Sequence, residues 1–205
     1  MTADISPSDA VLAVAARNGD AQAFAALMCR HKSWLYRFIR NYAGDREEAH
    51  DLLQESFVSA WRALSRFDAE RPFAAWLRRI ALNKCRDHAR RGAVRRAALT
   101  LFSFAVEQSV AAPGVDDSKP DDDLHRLESA IANLPRALKE PIVLTALEGL
   151  SHKEAAELLG ISAKAVEVRV YRAKRRLSEL LNPGTADRPE EAFAIKTPPR
   201  LVPAE

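Results

Sequence analysis

The chain has 205 residues with 31 basic and 28 acidic side chains, so its net charge is only +3 and any anion-binding surface must be local. Two cysteines argue against a disulfide framework and fit a reducing cytosol. The N-terminus lacks a signal-peptide pattern, and no apolar stretch approaches the roughly 20 residues that span a bilayer. Scarce glycine and long alanine-, leucine- and arginine-rich runs predict an all-α protein.

The first helical pattern runs from residue 9 to about residue 42. Asp20 is a predicted N-cap inside this pattern, and Gly44 is the predicted stop signal at its end. We therefore expect a helix over residues 21–43.

An acidic helix is predicted next, and Asp45 with Glu48 gives it a start similar to a capping box. Trp61 lies beside the apolar face of this helix and is expected in the core. The acidic and amide side chains fall on another face, which points to water or to a basic partner. The apolar residues recur at steps of four, three and four and should face a core; they are Leu53, Phe57, Ala60 and Leu64.

A basic helix is predicted after a break at Phe67–Pro72. Residues 71–96 hold nine Arg or Lys and one acid, which favours an anionic partner such as nucleic acid. Trp76 and Cys85 continue its apolar face and are expected in the core. Gly92 is a predicted stop, with a short return to helix over residues 94–99 as the alternative. The polar stripe recurs at steps of four, three and four and consists of Arg79, Asn83, Arg86 and Arg90.

The composition changes at residues 97–123, where prolines and six acids against one lysine between Glu107 and Asp123 indicate a flexible linker. We therefore expect two small helical domains, residues 9–96 and 124–182. The proline-rich residues 183–205 lack periodicity and are expected to be disordered.

The second domain contains the pattern of a helix-turn-helix. Ser151 and Glu154 form a predicted capping box, Gly160 supplies the turn, and Ser162 can cap the next helix. Val166, Val170, Ala173 and Leu177 should pack inward. The outward face can contact phosphates, base edges and thymine methyl groups, although a helical hairpin with a solvated basic face stays an alternative. That face carries Lys164, Val168, Tyr171, Arg172 and Arg175.

Four motif runs, in this order, resemble bacterial RNA polymerase sigma factors. D-L-L-Q-E-S-F at 51–57 resembles their polymerase-binding segment, and F-x-x-W-L-x-x-I-A-x-N at 73–83 resembles their promoter-melting segment. G-L-S-x-x-E-A-A-x-L-L-G-I-S at 149–162 and Y-R-A-K-R-R-L at 171–177 resemble the domain that reads the minus-thirty-five element. The two-domain set with a short linker resembles the extracytoplasmic-function (ECF) group.

The resemblance implies a promoter-specificity subunit that directs core RNA polymerase and has no catalytic site of its own. Glu167 departs from the family's usual pattern and could accept from a cytosine amino group or orient an Arg. The implied core-polymerase contacts are Asp51, Leu52, Gln54 and Glu55. The implied minus-ten contacts are Asp68, Ala69, Glu70, Arg79, Asn83, Arg86 and Arg90. The implied minus-thirty-five contacts are Lys164, Glu167, Val168, Tyr171, Arg172 and Arg175.

The resemblance also implies promoter DNA and an anti-sigma factor as partners, and a cytoplasmic protein that joins the nucleoid when active. No cofactor is expected, and Cys29 with His31 is only a fragment of a metal site, so no metal is expected either. The sequence shows no grouping of a nucleophile with a base, or of paired carboxylates, that would indicate an enzyme. Two alternatives are a sigma-like decoy that binds an anti-sigma factor and a dimeric helix-turn-helix regulator.

Overall fold

The computed structural model describes residues 7–103 and 122–181, and every regular element within these ranges is helical. In the described part of the chain, no helix is both long and apolar enough to cross a membrane. Residues 104–121 of the predicted linker and the whole predicted tail lie outside the described residues. The elements are α1 (Asp9–Arg17), α2 (Ala21–Ala43), α3 (Arg46–Ala63), a 3₁₀ turn (Leu64–Arg66), α4 (Phe73–Ser103), α5 (Asp122–Ala132), α6 (Arg136–Ile142), a π-helical turn (Val143–Leu147), α7 (His152–Leu159) and α8 (Ala163–Leu181).

The predicted limits of α2 are confirmed by its two caps. The Asp20 carboxylate accepts hydrogen bonds from the backbone N–H groups of Gln22 and Ala23, at 2.8 and 3.0 Å. At the other end Gly44 has a φ of 84°, in the left-handed region that favours glycine. The local sequence therefore sets both ends of α2.

The predicted inward face of α3 is confirmed, but two details of this helix are different. Asp45 caps it by accepting from the Glu48 N–H at 2.9 Å, whereas the Glu48 side chain pairs with His88 on α4 at 3.1 Å. The expectation that Trp61 lies in the core is wrong, because the residue is 41% exposed, although its ring contacts that of Phe24 with centroids 4.9 Å apart. The buried residues of this face are Leu53, Phe57, Ala60 and Leu64.

The long helix α4 extends farther than the sequence predicts. The stop expected at Gly92 is wrong, since the helix continues to Ser103 and includes residues 97–103 of the predicted linker. A glycine inside a helix costs only about 1 kcal/mol relative to alanine, and the Arg and Ala residues around it favour helix. The core side of α4 is confirmed at Cys85, which is buried, and Trp76 is half-buried against Phe67 and Phe73.

The helix-turn-helix of the second domain is confirmed. Ser151 and Glu154 form both hydrogen bonds of a capping box at the start of α7, and Gly160 ends that helix with a φ of 70°. Ser162 caps α8 by accepting from the Ala165 N–H at 3.1 Å. The four residues predicted to hold α8 against the domain are all buried, namely Val166, Val170, Ala173 and Leu177.

The two domains pack against each other, with α5, α6 and the π-helical turn lying on α2 and α4. The backbones approach closely at Gly44, where a methyl group added to the glycine would lie 2.5 Å from Cβ of Ala132. The buried apolar side chains of both domains form one continuous core. This packing brings charged residues far apart in sequence into contact, and it places the second domain beside the polar stripe of α4.

Candidate nucleic-acid interface

The predicted polar stripe of α4 is present, but its residues differ in exposure. Asn83 and Arg90 are exposed, as is Arg79, whose guanidinium group donates a long hydrogen bond of 3.4 Å to the carbonyl oxygen of Glu157 on α7. Arg86 is half-buried, because the second domain covers it. The stripe is therefore open to solvent at three positions and closed at one.

Arg86 is held by Glu140 of α6, a buried carboxylate that is only 5% exposed. The Arg86 Nε and Nη2 atoms donate to the two Glu140 oxygens at 2.8 and 2.6 Å, which is a bidentate pair. Arg136 donates to the same carboxylate at 2.7 Å, and the Tyr42 hydroxyl donates to it at 3.2 Å. One carboxylate of the second domain therefore joins α2, α4 and α6.

The ionisation of this cluster follows from its burial and its charges. Burial raises the pKa of the Glu140 carboxyl group, but the hydrogen bonds and positive charges of Arg86 and Arg136 outweigh it and lower the pKa overall. Burial, together with the nearby Glu140 charge, raises the pKa of Tyr42. Burial also raises the pKa of the Cys85 thiol to about 12, so this cysteine is an unreactive core residue. Glu140 is thus ionised at neutral pH.

Two further Arg–Glu pairs cross between the domains. The Arg40 guanidinium lies 2.9 Å from the Glu128 carboxylate, and that of Arg78 lies 3.8 Å from the carboxylate of Glu148. Arg78 also lies over the ring of Trp34, 4.9 Å from its centroid, which is a cation–π contact. Arg78 and Arg40 are absent from the sequence-based set of site residues, since neither falls on the periodic stripe.

The loop before α4 is a tight turn on an aromatic base. The Asp68 carboxylate accepts a hydrogen bond from the Glu70 N–H at 3.1 Å, which closes the turn. Asp68 and Glu70 are exposed, and Ala69 is half-buried. Phe67 and Phe73 flank the loop and meet edge to face, with ring centroids 5.4 Å apart. This aromatic contact fixes the loop beside the first turn of α4.

The acidic face of α3 is also assembled, with one of its four predicted residues buried. Asp51 and Gln54 are exposed, and within residues 7–103 and 122–181 their side chains make no hydrogen bond or ion pair. Glu55 lies 3.8 Å from Lys84 and is the third exposed member of the face. Leu52 points into the core with 2% exposure, so its side chain is unavailable to a partner in this arrangement.

The predicted outward face of α8 is fully exposed along the helix. Tyr171 is 68% exposed, and Val168 and Arg172 lie in solvent beside it. Lys164 pairs with Glu167 at 2.9 Å, which brings the acid of the face next to a base. Arg175 pairs with Glu179 at 3.2 Å, also in solvent. Each pair lies within α8, so no other element covers the face.

No group of three or more His, Cys, Asp or Glu residues suited to a metal ion occurs in the described ranges. His31 is buried and ties α1 to α2, since its Nε2 atom lies 2.8 Å from the Asp9 carboxylate. Its Nδ1 atom accepts from the indole N–H of Trp34 at 2.8 Å. Both ring nitrogens are therefore occupied by protein partners.

Two family models match the chain: sigma-70 region 2 over residues 27–95, and sigma-70 region 4 over residues 124–177. The RNA polymerase sigma factor CnrH of Cupriavidus metallidurans is 40% identical over 186 residues, which is 85% of this chain and 95% of CnrH. The ECF RNA polymerase sigma factor SigM of Mycobacterium tuberculosis is 31% identical over 85% of both chains.

Two solved structures are also similar. The structure of CnrH in complex with the cytosolic domain of CnrY has a TM-score of 0.62 and 36% identity, and the match covers 86% of this chain and 99% of CnrH. The sigma factor RpoE in complex with the anti-sigma factor NepR from Bartonella quintana has a TM-score of 0.60 and 27% identity. That match covers 82% of this chain and the whole of RpoE.

Proposed function

The chain belongs to the sigma-70 family of RNA polymerase sigma factors, in its ECF group. We propose that the acidic face of α3, the polar stripe of α4 and the outward face of α8 have separate roles in the initiation of transcription. As a sigma factor it directs core RNA polymerase to promoters and has no catalytic activity of its own. In this proposal the acidic face of α3 binds the polymerase, the α4 stripe and its loop bind the minus-ten element, and α8 binds the minus-thirty-five element. The observation that carries it is the presence of two basic surfaces, one on each domain, apart from the acidic face.

The minus-ten role of the first domain is supported by the loop and the stripe together. Promoter opening requires bases held out of the stack, in a pocket with polar contacts and apolar walls. Asp68, Ala69 and Glu70 lie on a turn fixed by aromatic packing. The stripe of Arg79, Asn83, Arg86 and Arg90 then supplies contacts for the backbone and bases of the captured strand.

The minus-thirty-five role of α8 is supported by its exposure. A recognition helix must enter the major groove, and the side chains of this face are free of any other element. Arg172 and Arg175 can contact guanine edges or phosphates, while Val168 and Tyr171 can contact thymine methyl groups. Lys164 and Glu167 form a pair at the start of the helix, where Glu167 can accept from a cytosine amino group.

The polymerase role of α3 is supported by charge. Asp51, Gln54 and Glu55 are the exposed acidic and amide groups of one helix face, which complements a basic partner surface. The polymerase segment bound here would be basic. Leu52 is buried beneath the acidic face, so it would contribute by packing that holds α3 in position.

The remaining partner in the proposal is an anti-sigma factor, as in the RpoE–NepR complex. Such a protein would hold the sigma factor inactive until a signal releases it. The proposed location is the cytoplasm, with association to the nucleoid when transcription starts.

Transcription with purified core RNA polymerase on a library of genomic DNA fragments tests the two DNA roles. We expect the wild type to produce discrete transcripts and Arg79→Ala/Asn83→Ala or Arg172→Ala to reduce their yield at least about tenfold, since a specific base contact contributes about 1–3 kcal/mol. The control is Arg17→Ala, an exposed arginine at the end of α1. Variants that transcribe as well as the wild type would contradict the assigned roles.

Binding to core polymerase tests the α3 face separately. Asp51→Ala/Gln54→Ala should weaken binding roughly tenfold, because two groups of a complementary polar surface are lost. Glu47→Ala, an exposed acid in the first turn of the same helix, is the matched control and should bind normally. Equal affinity for all three proteins would remove α3 from the interface.

The two alternatives make different predictions in the same experiments. A sigma-like decoy would bind an anti-sigma factor but would yield no transcripts with core polymerase. A dimeric helix-turn-helix regulator would bind duplex DNA through α8 but would not copurify with polymerase. Retention of the basic stripe on α4 and of the unpaired Asp51 and Gln54 favours the sigma factor over both.

A further inference from the structure

A cavity of about 640 Å³ lies between the two domains, beside the middle of α4. Its walls come from α2, α3 and α4 of the first domain and from α5 and α6 of the second. This volume falls in the range of roughly 300–1,000 Å³ that is typical of small-molecule sites. Apart from the buried Leu52, no residue assigned above to polymerase or promoter DNA lines the cavity. It is therefore separate from the three surfaces of the proposed function.

One wall of the cavity is apolar and includes a glycine. Leu52 and Cys85 are buried in this wall, and Ala89 lies one turn farther along α4. Gly92 also lines the cavity, in the interior of α4, where it ends no helix and costs about 1 kcal/mol relative to alanine. Because Gly92 has no side chain, it leaves space at this wall. The apolar wall can thus take the apolar body of a ligand.

Two cations line the cavity, and in the part of the chain that the structure describes neither forms an ion pair. Lys139 is half-buried, and its ammonium group donates a long hydrogen bond of 3.4 Å to the carbonyl oxygen of Tyr42. The same group lies over the Tyr42 ring, 5.0 Å from its centroid. Arg95, three residues after Gly92, is the second cation and is exposed. Both groups are available to an anion.

The acids near Lys139 are already bound to other groups. Burial lowers the pKa of the Lys139 ammonium group, and the nearby charge of Glu140 offsets this only in part. The Glu140 oxygens accept hydrogen bonds from Arg86 and Arg136. Glu48, the acid that lines the cavity, pairs with His88 at 3.1 Å. The half-buried ammonium group therefore lacks a counter-charge, which a bound anion would supply.

We propose that this cavity binds a small phosphate monoester with an apolar body. Lys139 and Arg95 bind the phosphate group, since ammonium and guanidinium groups form charge-assisted hydrogen bonds with phosphate oxygens. A phosphate monoester carries a charge of about −1.5 to −2 at pH 7, which matches two cations better than a single carboxylate does. The apolar body lies against Leu52, Cys85 and the backbone of Gly92. Such binding is independent of the roles proposed for α3, α4 and α8.

Three probes separate the two parts of the ligand. Naphthyl phosphate has the anion and an apolar body, inorganic phosphate has the anion alone, and naphthol has the body alone. In calorimetric titrations of the full chain near pH 7, we expect naphthyl phosphate to bind one to one. Its affinity should exceed that of either other probe by at least about tenfold, because both parts of the cavity contribute. Equal affinity for naphthyl phosphate and either other probe would overturn the proposal.

Lys139→Gln tests the charge. It should weaken binding of naphthyl phosphate by at least about tenfold, because a charge-assisted hydrogen bond in a half-buried place is lost. The matched control is Lys153→Gln, which removes an exposed lysine of α7 that does not line the cavity. The control should bind as the wild type does. Equal weakening in both variants would mean that net charge alone attracts the probe, and would overturn the site.

Gly92→Leu tests the space without a change of charge. Leucine favours a helix more than glycine does, so α4 should remain folded while the new side chain reduces the room at the apolar wall. We expect binding of naphthyl phosphate to weaken at least about tenfold, with no fall in the midpoint of thermal unfolding. Ala93→Leu, at the exposed neighbouring residue that does not line the cavity, should bind normally. Normal binding by a folded Gly92→Leu protein would contradict the proposal.

Nuclear magnetic resonance of the full chain locates the bound probe. The naphthyl ring should shift the backbone amide signals of Ala89, Gly92 and Ala132, which line the cavity on both domains. The signals of Val168 and Tyr171, on the exposed face of α8, should stay unchanged. Shifts confined to α8 would place the probe on that basic face and would overturn the assignment of the cavity.

Discussion

The basic surfaces of α4 and α8 look alike in sequence but have different partners within the protein. On α4, Arg86 is half-buried and bound through two hydrogen bonds to a carboxylate 54 residues later in the chain. On α8, Lys164 and Arg175 pair only with acids three and four residues away, and Arg172 lies in solvent. A count of charges therefore identifies both surfaces, but only the tertiary structure shows which one is covered.

The largest expected effect is on the free energy of unfolding and concerns the buried side of α8, which packs on the domain and positions the exposed face of the helix. Val166 has no exposed surface, so Val166→Asp should lower the free energy of unfolding by about 3 kcal/mol or more through a buried, unpaired charge. Val168→Asp, at a site 38% exposed, should cost less than about 1 kcal/mol. Urea unfolding measures both. A similar loss in the two variants would show that the two sides of α8 are not distinct.

The next effect compares one arginine from each surface. Arg86→Ala leaves Glu140 buried with fewer partners and should cost about 2 kcal/mol, a value reduced from that of fully buried pairs because Arg86 is 18% exposed. Arg172→Ala removes only an exposed side chain and should change stability by less than about 0.5 kcal/mol. The measurement is urea unfolding near pH 7. Equal losses would mean that the Arg86 pair contributes nothing beyond a surface arginine.

A smaller effect follows from the ionisation of the covered surface. The Glu140 pKa is lowered in the folded protein, so its charge stabilises the fold above the unfolded pKa of about 4.3 and this contribution is lost as the pH falls through the lower, folded value. The groups facing Glu140 are Arg86, Arg136 and Tyr42. The stability difference between wild type and Glu140→Gln should therefore shrink from pH 6 to pH 3. A difference that grows on acidification would reverse this sign.

The smallest effect concerns the acid on the open surface. Glu167→Ala removes a negative charge beside Lys164 and should tighten non-specific duplex binding by roughly two- to threefold at low salt. Stability should change by less than about 0.5 kcal/mol, since the pair is exposed and local. Fluorescence anisotropy at two salt concentrations measures the change. Weaker non-specific binding would indicate that Glu167 orients its neighbours on the DNA.

The sequence predicts the helix-turn-helix well because that unit depends on local signals. Ser151, Glu154 and Gly160 are caps and a turn whose chemistry acts within a few residues, and the inward spacing of α8 follows from helix geometry. The Arg79–Arg90 stripe is predicted on the same basis. Its basic charge indicates an anionic partner, but its assignment to the minus-ten element is a separate step that comes from the family resemblance.

The contact between domains is not predictable from these local rules. Glu140 is directly followed by a run of buried apolar residues that includes Ile142 and Val143, and a buried acid in such a place indicates that a distant base approaches it. The identity of that base depends on how the domains pack. The prediction for Trp61 fails for a related reason, since a residue at the edge of an apolar face can point into the core or into solvent.

The central claim is that one polymerase complex uses both basic surfaces at separate promoter elements. A photoreactive amino acid at position 79 or at position 172, in a complex of the full chain with core RNA polymerase on a transcribed fragment, tests it directly. We expect position 172 to cross-link to duplex DNA upstream and position 79 to cross-link to the melted strand nearer the start of transcription. Cross-links from both positions to the same site, or from neither to DNA, would contradict the claim.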